Sequence, residues 1–460
     1  MSGRSEASGG GQFDWQLHEV AEEHLQELIS RFLAHHPPAA ALAERIEAGT
    51  STRFIDWVDH IGVPEVDAGL EVLERLGFED SPPARCPPNA RVMRVPGSTL
   101  FPLVVRKGGP TILAIMVQDV AAFQAVHAKT RSIEGVQYAP VRTLELGRRD
   151  ERSFVVMERR GSGGFCAEDS DDVQAYAKAM RSFFVRKRDF FGEDEGLRAT
   201  EDLVRKVLGH LTPSRAADAF FRAERAYWET RNDAGSMQRE RQDALGLGWG
   251  NHDHHTYRCS REHFKDTIAI LELLGMTSRE GFYAGKEAGW GAQVLEHSGC
   301  GAVVFADVDL APEERRSDFA HLGLKPFPKR GTIGIWVALH GESILQAGLH
   351  HLAARFDFER IRKDLKERGA GVMSPFSDFP FLRQAFTEPQ VWKVDAGRAG
   401  DALDLGLITK ERHEEFKRKG AIGSHMECIE RNMGFKGFNQ ESVSVIIRAT
   451  DPRTQTPGKA

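Results

Sequence analysis

Three histidines and an arginine lie within one short segment, HDHHTYRC at positions 252–259. In a β-strand, side chains two positions apart lie on the same face. His254, Thr256 and Arg258 are therefore predicted to share one face, with an imidazole and a permanent positive charge roughly 13 Å apart along the strand. This pairing suits a metal ligand with an anion-binding group beside it. The opposite face, which a helix layer can cover, carries the alternate side chains His255, Tyr257 and Cys259.

A second segment, HLAAR at positions 351–355, repeats the histidine-to-arginine spacing. His351 and Arg355 are four positions apart, so both are predicted to lie on one strand face. Histidine clusters are also common as surface or core polar groups, but the recurrence favours a function. Two strands that each offer a histidine can meet at one metal ion. A carboxylate would complete a facial triad with open positions, as in non-haem Fe(II) oxygenases.

Glu427 is the preferred carboxylate, because it lies on a predicted strand near the end of the chain with apolar neighbours. His425 shares its face and is predicted either to support a ligand or to compete as one. Asp253 is excluded as the hydrogen-bond acceptor for His254, because strand parity directs it to the other face. Three other carboxylates stay open as rivals of Glu427: Glu388, Glu342 and Glu296.

Three further histidines have weaker predictions. His255 is expected either to face the core or to form a hydrogen bond that orients a metal ligand. His252 is expected on the same strand face as His254, but further from the site. His60, on a predicted strand at 54–63, is either a ligand in the first part of the chain or a buried histidine.

Strand–helix units are predicted three times, near residues 55–78, 251–276 and 348–370. Each begins with a histidine on the strand and ends at a glycine-containing stop. Repeated units followed by antiparallel strands favour an α+β fold of pseudo-symmetric modules with a mixed, curled sheet. The apolar runs at 331–339 and 442–447 are read as strands.

Composition shifts predict how the chain is divided. Residues 1–12 are a polar, Gly/Ser-rich, disordered lead-in, and 13–160 form an N-terminal α+β lobe. A charged helical insertion at 161–245 follows, with aromatic residues at helical spacing as its packing faces. A C-terminal metal-binding α+β lobe is predicted at 246–450, and a loose polar tail at 451–460.

The bulk composition bounds the function. The chain has 460 residues, 41% of them hydrophobic and 28% charged, which is ordinary for a soluble globular protein. With a formal net charge of -6, the chain has no excess of basic residues that would favour binding to nucleic acid. No apolar run is long enough to span a membrane. Five scattered cysteines without a CxxC motif disfavour zinc-ribbon and dithiol sites and favour the cytoplasm. No nucleotide-binding glycine motif is present, and oligomeric state stays open.

These segments resemble a known family, the 2-oxoadipate dioxygenase/decarboxylases, also described as 2-hydroxyglutarate synthases. The HHTYRC segment at 254–259 with its following helix is similar to the family's first metal-binding strand, and HLAARFD at 351–357 to its second histidine motif. LRQ at 382–384 resembles a downstream element, and the strand around Glu427 is more weakly similar to the family's glutamate strand. The resemblance covers roughly residues 250–435, while the N-terminal lobe, the insertion and the spacing between the histidine motifs differ.

The resemblance implies a vicinal-oxygen-chelate fold of βαβββ modules, with His254, His351 and Glu427 as ligands of ferrous iron, Fe(II). It implies O2 and a 2-oxo acid as substrates, with a hydroxy acid and CO2 as products, and Arg258 matches the family's substrate-carboxylate arginine. Arg355 is predicted as a second substrate-binding residue. Two alternatives stay open: a metal-dependent isomerase, lyase or hydrolase of the same fold, and a non-catalytic protein that binds a small ligand or metal.

Overall fold

The computed structural model describes residues 15–82, 87–127, 131–284, 288–327, 329–439 and 451–453. Within these ranges the chain forms two mixed β-sheets, one of seven strands and one of nine. Each sheet has its own large apolar core cluster. The predicted α+β class with mixed sheets is therefore confirmed.

The first sheet follows two helices that pack on its core. Its strands lie in the order β2-β3-β4-β1-β5-β7-β6. The elements of this half are α1 (Glu19–Ala34), α2 (Pro37–Thr50), β1 (Val58–Pro64), α3 (Leu70–Arg75), β2 (Glu79–Ser81), β3 (Arg91–Arg94), β4 (Leu103–Arg106), β5 (Thr111–Met116), α4 (Val120–His127), β6 (Val141–Arg149) and β7 (Arg152–Arg159).

Four helices then precede the second sheet: α5 (Val173–Phe184), α6 (Glu193–Leu208), α7 (Pro213–Glu229) and α8 (Asp233–Asp243). The elements that follow are β8 (His252–Arg258), α9 (Phe264–Leu273), β9 (Thr277–Tyr283), β10 (Trp290–Glu296), β11 (Val303–Asp309), α10 (Thr332–His340), β12 (His351–Arg355), α11 (Phe358–Glu367), β13 (Ser377–Phe379), β14 (Leu382–Phe386), β15 (Gln390–Trp392), α12 (Ala396–Asp404), α13 (Lys410–Lys419) and β16 (Ala421–Arg431). The strand order is β13-β14-β16-β12-β8-β11-β10-β9, and β15 pairs with β16.

Each half of the second sheet is one βαβββ module. In the first module, β8 is followed by α9 and three antiparallel strands, and the last of them, β11, returns parallel to β8. In the second, β12 is followed by α11 and the β13, β14 and β16 strands, and β16 returns parallel to β12. The two modules meet where β8 and β12 pair antiparallel. This strand order and pairing confirm the predicted vicinal-oxygen-chelate type of fold.

The first sheet repeats the arrangement. The β1-α3-β2-β3-β4 unit is a complete module in which β4 is parallel to β1, and β5-α4-β6-β7 is a module with one strand fewer. The sequence predicted three of these four units. The fourth was missed because its strand, β5, carries no histidine.

The helices of the predicted insertion cover the outer face of the second sheet. Phe221 of α7 stacks on His255 at 5.0 Å between ring centroids, and Glu224 accepts a hydrogen bond from the Tyr257 hydroxyl at 3.2 Å. The face of β8 that carries His255 and Tyr257 was predicted to contact a helix layer, and it does so. Glu224 is fully buried and is neutralised by Arg186 and Arg188, which explains how so charged a helix lies in the interior. β7 ends at Arg159 and α8 at Asp243, and the domain boundaries at 160 and 245 stay predictions.

Two local predictions are wrong. The strand predicted at 331–339 is instead the helix α10 (Thr332–His340), because Asp309 accepts hydrogen bonds from the backbone N–H groups of Gly331, Ile333 and Gly334 and fixes a helical first turn. The segment is buried almost all round, so its apolar run shows neither strand nor helix periodicity. In the unit predicted near 55–78, the helix is expected to begin after Pro64 with Val66 facing inward, but α3 starts only at residue 70 and Val66 is 88% exposed. The strand predicted at 442–447 lies outside the described residues.

No helix in the described ranges is long and apolar enough to cross a membrane. Cys259, Cys300 and Cys428 are free thiols, whereas Cys166 is disulfide-bonded. The cysteines therefore do not by themselves indicate a reducing compartment, and the cytoplasmic location stays a prediction.

Candidate metal centre

The central strands of the second sheet bring the two histidine motifs together. Ala353, in the middle of β12, pairs with His254 on one side and with Glu427 on the other. His351, two residues earlier on β12, shares the face of Ala353 because strand side chains alternate. Both histidines and the glutamate therefore project into the same concave side of the sheet.

The three predicted ligands converge on a common point. Glu427 Oε2 lies 3.2 Å from His254 Nε2 and 3.0 Å from His351 Nε2. One ligand atom from each side chain lies within 4.8 Å of the other two, and all three residues are buried. Among the residues that the structure describes, this is the one group of three or more such side chains with that geometry.

Asp253 orients His254, contrary to the exclusion based on strand parity. Its Oδ1 lies 2.9 Å from His254 Nδ1, and Arg355 and Arg431 each donate an Nε–H to its Oδ2 at 2.9 Å. The exclusion failed because β8 is bulged: His254 and His252 pair with consecutive residues of β12, and Asp253 is the extra residue between them. A strand bulge reverses the side-chain alternation on which parity arguments depend.

The Glu427 carboxylate is also oriented by a hydrogen bond on the side away from the histidines. Its Oε1 accepts a hydrogen bond from Gln384 Nε2 at 2.8 Å, and Gln384 in turn accepts one from the Ser377 hydroxyl at 2.8 Å. This fixes one carboxylate oxygen and leaves Oε2 directed at the histidines. Gln384 belongs to the LRQ segment singled out in the sequence, but its contact depends on the β14–β16 register, which the sequence does not reveal.

The rival carboxylates lie elsewhere. Glu342 accepts hydrogen bonds from the Ser260 backbone N–H, Glu296 pairs with Lys436 at 2.8 Å, and Glu388 lies beside Gly371. None of them is in the group formed by the two histidines and Glu427.

The charges of the centre are strongly coupled. Burial would lower the pKa of His254, but the carboxylates of Glu427 and Asp253 outweigh it and raise the pKa to about 9. Burial would raise the pKa of Glu427, but His254 and His351 hold it well below its usual range. Burial lowers the pKa of His351 despite its bond to Glu427. With the protein's own charges alone, an extra positive charge is therefore stabilised between these side chains.

Arg258 lies further along the same face of β8 as His254. Its guanidinium is buried at 2% exposure, and within the described part of the chain its Nε and Nη1 atoms have no hydrogen-bond partner. Trp336 lies 5.5 Å from the guanidinium, and burial lowers the pKa of Arg258 to about 10. A buried cation with open donors is suited to bind the carboxylate of a ligand.

Asp307 is a residue of this face that the sequence analysis missed. It pairs in register with Arg258 on the neighbouring strand β11, and burial raises its pKa to about 8. The sequence does show Asp307 as an acidic residue in an otherwise apolar run. It does not show that β11 pairs with β8, which places Asp307 beside Arg258.

Aromatic rings enclose the donors. His254 lies 4.9 Å from Phe305 and 5.3 Å from Phe438 between centroids, and His351 lies 5.1 Å from Phe386. These rings restrict access of water to the group. His351 Nε2 also lies 2.7 Å from the Thr256 hydroxyl, and its Nδ1 has no partner among the described residues.

The remaining histidines lie outside the group of three. His252 Nδ1 bonds to the Trp249 carbonyl at 3.0 Å, and His425 Nδ1 to the Thr387 carbonyl at 3.0 Å. His60 Nδ1 lies 3.2 Å from Asp59, which is paired with Arg159. Arg355, predicted to bind substrate, donates to Asp253 in this structure.

No family model and no curated protein matches the chain. Among solved structures, it is similar to a variant of 4-hydroxymandelate synthase from Streptomyces coelicolor, at 14% identity and TM-score 0.31, over 88% of this chain and 100% of that one. It is also similar to methylmalonyl-CoA epimerase from Mycobacterium tuberculosis, at 15% identity and TM-score 0.23, over 40% of this chain and 88% of that one. The assignment of the fold rests on strand order and pairing.

Proposed function

We propose that this chain is a non-haem Fe(II)-dependent dioxygenase/decarboxylase that converts a 2-oxo acid, of the 2-oxoadipate kind, into a hydroxy acid and CO2. The observation that carries the proposal is the convergence of His254, His351 and Glu427 on one point, with the open guanidinium of Arg258 on the same strand face. Two imidazoles and one carboxylate are the ligand set of facial-triad Fe(II) sites.

The residues present fit a divalent cation. Two Nε2 atoms and one carboxylate oxygen point at a common position, and the raised pKa of His254 reflects a buried site that favours positive charge. Iron(II) held there would supply redox chemistry with O2 and a cationic centre for a chelating 2-oxo acid. That the bound metal is iron is itself part of the proposal.

The chain's own residues have separate tasks in this scheme. Asp253 accepts the Nδ1–H of His254, which leaves Nε2 free to bind, and Gln384 fixes the Glu427 carboxylate. Arg258 binds a carboxylate of the substrate and sets its direction relative to the metal ligands. Phe305 and Phe438 limit water near the reacting groups. Arg355 donates its Nε–H to Asp253 and so helps to hold the acceptor that orients His254.

The test combines metal analysis with oxygen consumption. Protein made without added metal is loaded anaerobically with Fe(II), and its iron content is compared with that of His254→Ala and of His252→Asn. The second variant is a matched control, because His252 lies on the same strand but outside the group of donors. We expect near-stoichiometric iron in the wild type and the control and little in His254→Ala.

Oxygen-electrode assays with 2-oxoadipate and shorter or longer 2-oxo acids then test the reaction. Consumption of O2 coupled to release of CO2 supports the proposal, and Arg258→Gln should raise KM for the acid far more than it lowers iron content. Full iron content in His254→Ala contradicts the metal site. Stoichiometric metal without O2 consumption contradicts the oxygenase and favours a metal-dependent isomerase, lyase or hydrolase.

A further inference from the structure

A cavity of about 550 Å³ lies between the two halves of the molecule. The first half contributes side chains such as Arg94 and Phe165, and the second half contributes others such as Trp249 and Phe438. Arg225, from the helix α7, also lines it. The volume is in the range of small-molecule binding sites, and the lining combines apolar and aromatic surface with charged groups.

The lining is positively charged although the chain is acidic. Eight cationic side chains and five carboxylates line the cavity, whereas the whole chain has a formal net charge of -6. A low-dielectric cavity with excess positive charge concentrates anions.

Most of the cations are neutralised locally. Arg159 pairs with Asp59 at 2.7 Å and Arg222 with Asp218 at 2.8 Å. The other pairs are Arg355 and Arg431 with Asp253, Lys436 with Glu296 and Arg279 with Glu280. Each of these six cations has a carboxylate at ion-pair distance, although Arg355 and Arg431 share that of Asp253.

Arg94, which is exposed, and Arg225, which is buried, are the exceptions. Within the described ranges neither guanidinium has a carboxylate at ion-pair distance. Arg225 is buried at 6% exposure; among the described residues it makes one hydrogen bond, from Nη1 to His255 Nε2 at 3.2 Å, and its Nε has no partner. Burial, followed by the charge of Arg222, lowers the pKa of Arg225 to about 10. Retaining an unpaired buried cation is costly to stability, so an anionic partner is expected.

The cavity is separated from the candidate metal centre. Neither His254, His351 nor Glu427 lines it, and the Phe438 ring, which does, lies 5.3 Å from the His254 ring. Asp253 also lines the cavity and forms part of the wall between the two sites.

We propose that this cavity is a second binding site, for a small organic dianion such as a dicarboxylate or a diphosphate, recognised by Arg94 from one half and Arg225 from the other. A ligand with two anionic groups matches two guanidinium groups without carboxylate partners, and its organic part meets Phe165, Trp249 and Phe438. The site does not depend on which metal or reaction the other centre has.

The test is calorimetric titration of the full-length protein with glutarate and with pyrophosphate, in chloride buffer at constant ionic strength. The two probes distinguish a carboxylate from a phosphate ligand, and acetate serves as the monoanion. We expect saturable binding of at least one dianion, weaker binding of acetate, and about tenfold weaker dianion binding in Arg94→Gln. Arg91→Gln is the matched control, because Arg91 lies on the same strand, is paired with Asp80 and does not line the cavity.

Two further variants make the result decisive. Arg258→Gln should leave dianion binding unchanged, since Arg258 belongs to the other centre. Arg225→Met should keep or raise the Tm without ligand, because it removes an unpaired buried charge, and should lose the Tm increase that the dianion produces. The proposal is overturned if no dianion binds saturably, if Arg91→Gln weakens binding as much as Arg94→Gln, or if only Arg258→Gln abolishes it. The last outcome would locate the ligand at the metal centre and leave the proposed function intact.

Discussion

At the scale of single residues, the most informative side chain is Asp253. It joins three groups: the Nδ1 of His254 and the guanidinium groups of Arg355 and Arg431. The strong attraction of both arginines keeps the pKa of Asp253 well below its usual range in spite of burial. Asp253 is therefore a fixed negative charge that holds one tautomer and one orientation of His254.

Asp253→Ala should weaken Fe(II) binding about 10- to 100-fold, because His254 loses the acceptor that orients it. It should also lower the free energy of unfolding by about 3 kcal/mol or more, because the buried Arg431 loses the carboxylate that balances its charge. Chelator competition and chemical denaturation measure the two effects. Asp59→Ala is the matched control, since Asp59 is equally buried and bonds to His60 and Arg159. Its loss should reduce stability alone, and equal loss of metal affinity in both variants would contradict the assigned role of Asp253.

The same residues show what a sequence can reveal about a site. His254, Arg258, His351 and Arg355 could be placed on common faces because even spacing along a strand is a local property. The family resemblance implied that His254 and Glu427 share a metal. Their meeting depends on β12 lying between their strands, which local spacing does not reveal. Asp253 was misassigned because a bulge is not visible in the residue pattern.

At the scale of elements, the register of β12 determines the shape of the centre. Ala353 lies between His254 and Glu427 across the sheet, while its neighbour Ala354 projects to the opposite face. Both are fully buried. A small side chain at 353 therefore leaves the space into which the donors project.

Ala353→Leu and Ala354→Leu form a matched pair. Each should lower the free energy of unfolding by about 1–3 kcal/mol through overpacking. Only Ala353→Leu should abolish binding of Fe(II), because its added carbons occupy the concave side of the sheet. Metal titration followed spectroscopically distinguishes the two. If both variants bind iron equally, the donors do not meet over Ala353 as described.

A second element-scale prediction concerns the junction of β8 and α9. The hydrogen bond with Glu342 raises the pKa of His263 to about 9, against an opposing effect of burial. A histidine whose folded pKa exceeds its unfolded value of 6.5 stabilises the fold fully below pH 6.5, and the contribution disappears as pH rises through 9. His263→Asn should therefore destabilise the protein by about 1 kcal/mol at pH 6, allowing for solvent screening, and by much less at pH 9.5. Urea denaturation at both pH values measures this, and an equal loss at both would exclude a charged His263.

At the scale of the whole molecule, four related modules form two sheets, but they are not chemically equivalent. The first sheet also has a buried aspartate–histidine pair, Asp59 and His60, on the strand that corresponds to β8. Its partner strand β5 has no histidine, and the described residues contain no second group of three potential ligands. The modular repeat was predictable from periodicity, whereas the restriction of the donors to one half depends on strand pairing.

The fold itself therefore gives a test of metal binding that is independent of catalysis. A metal that binds only the folded chain stabilises it by about 2.7 kcal/mol at a concentration 100 times its Kd. Anaerobic Fe(II) should accordingly raise the Tm of the wild type by a few degrees, and a chelator should reverse the change. His252→Asn should respond like the wild type, and His254→Ala and Glu427→Gln should not respond. A Tm increase that persists in His254→Ala would mean that iron binds elsewhere, because the second sheet can hold it at this point only if both imidazoles and the carboxylate act together.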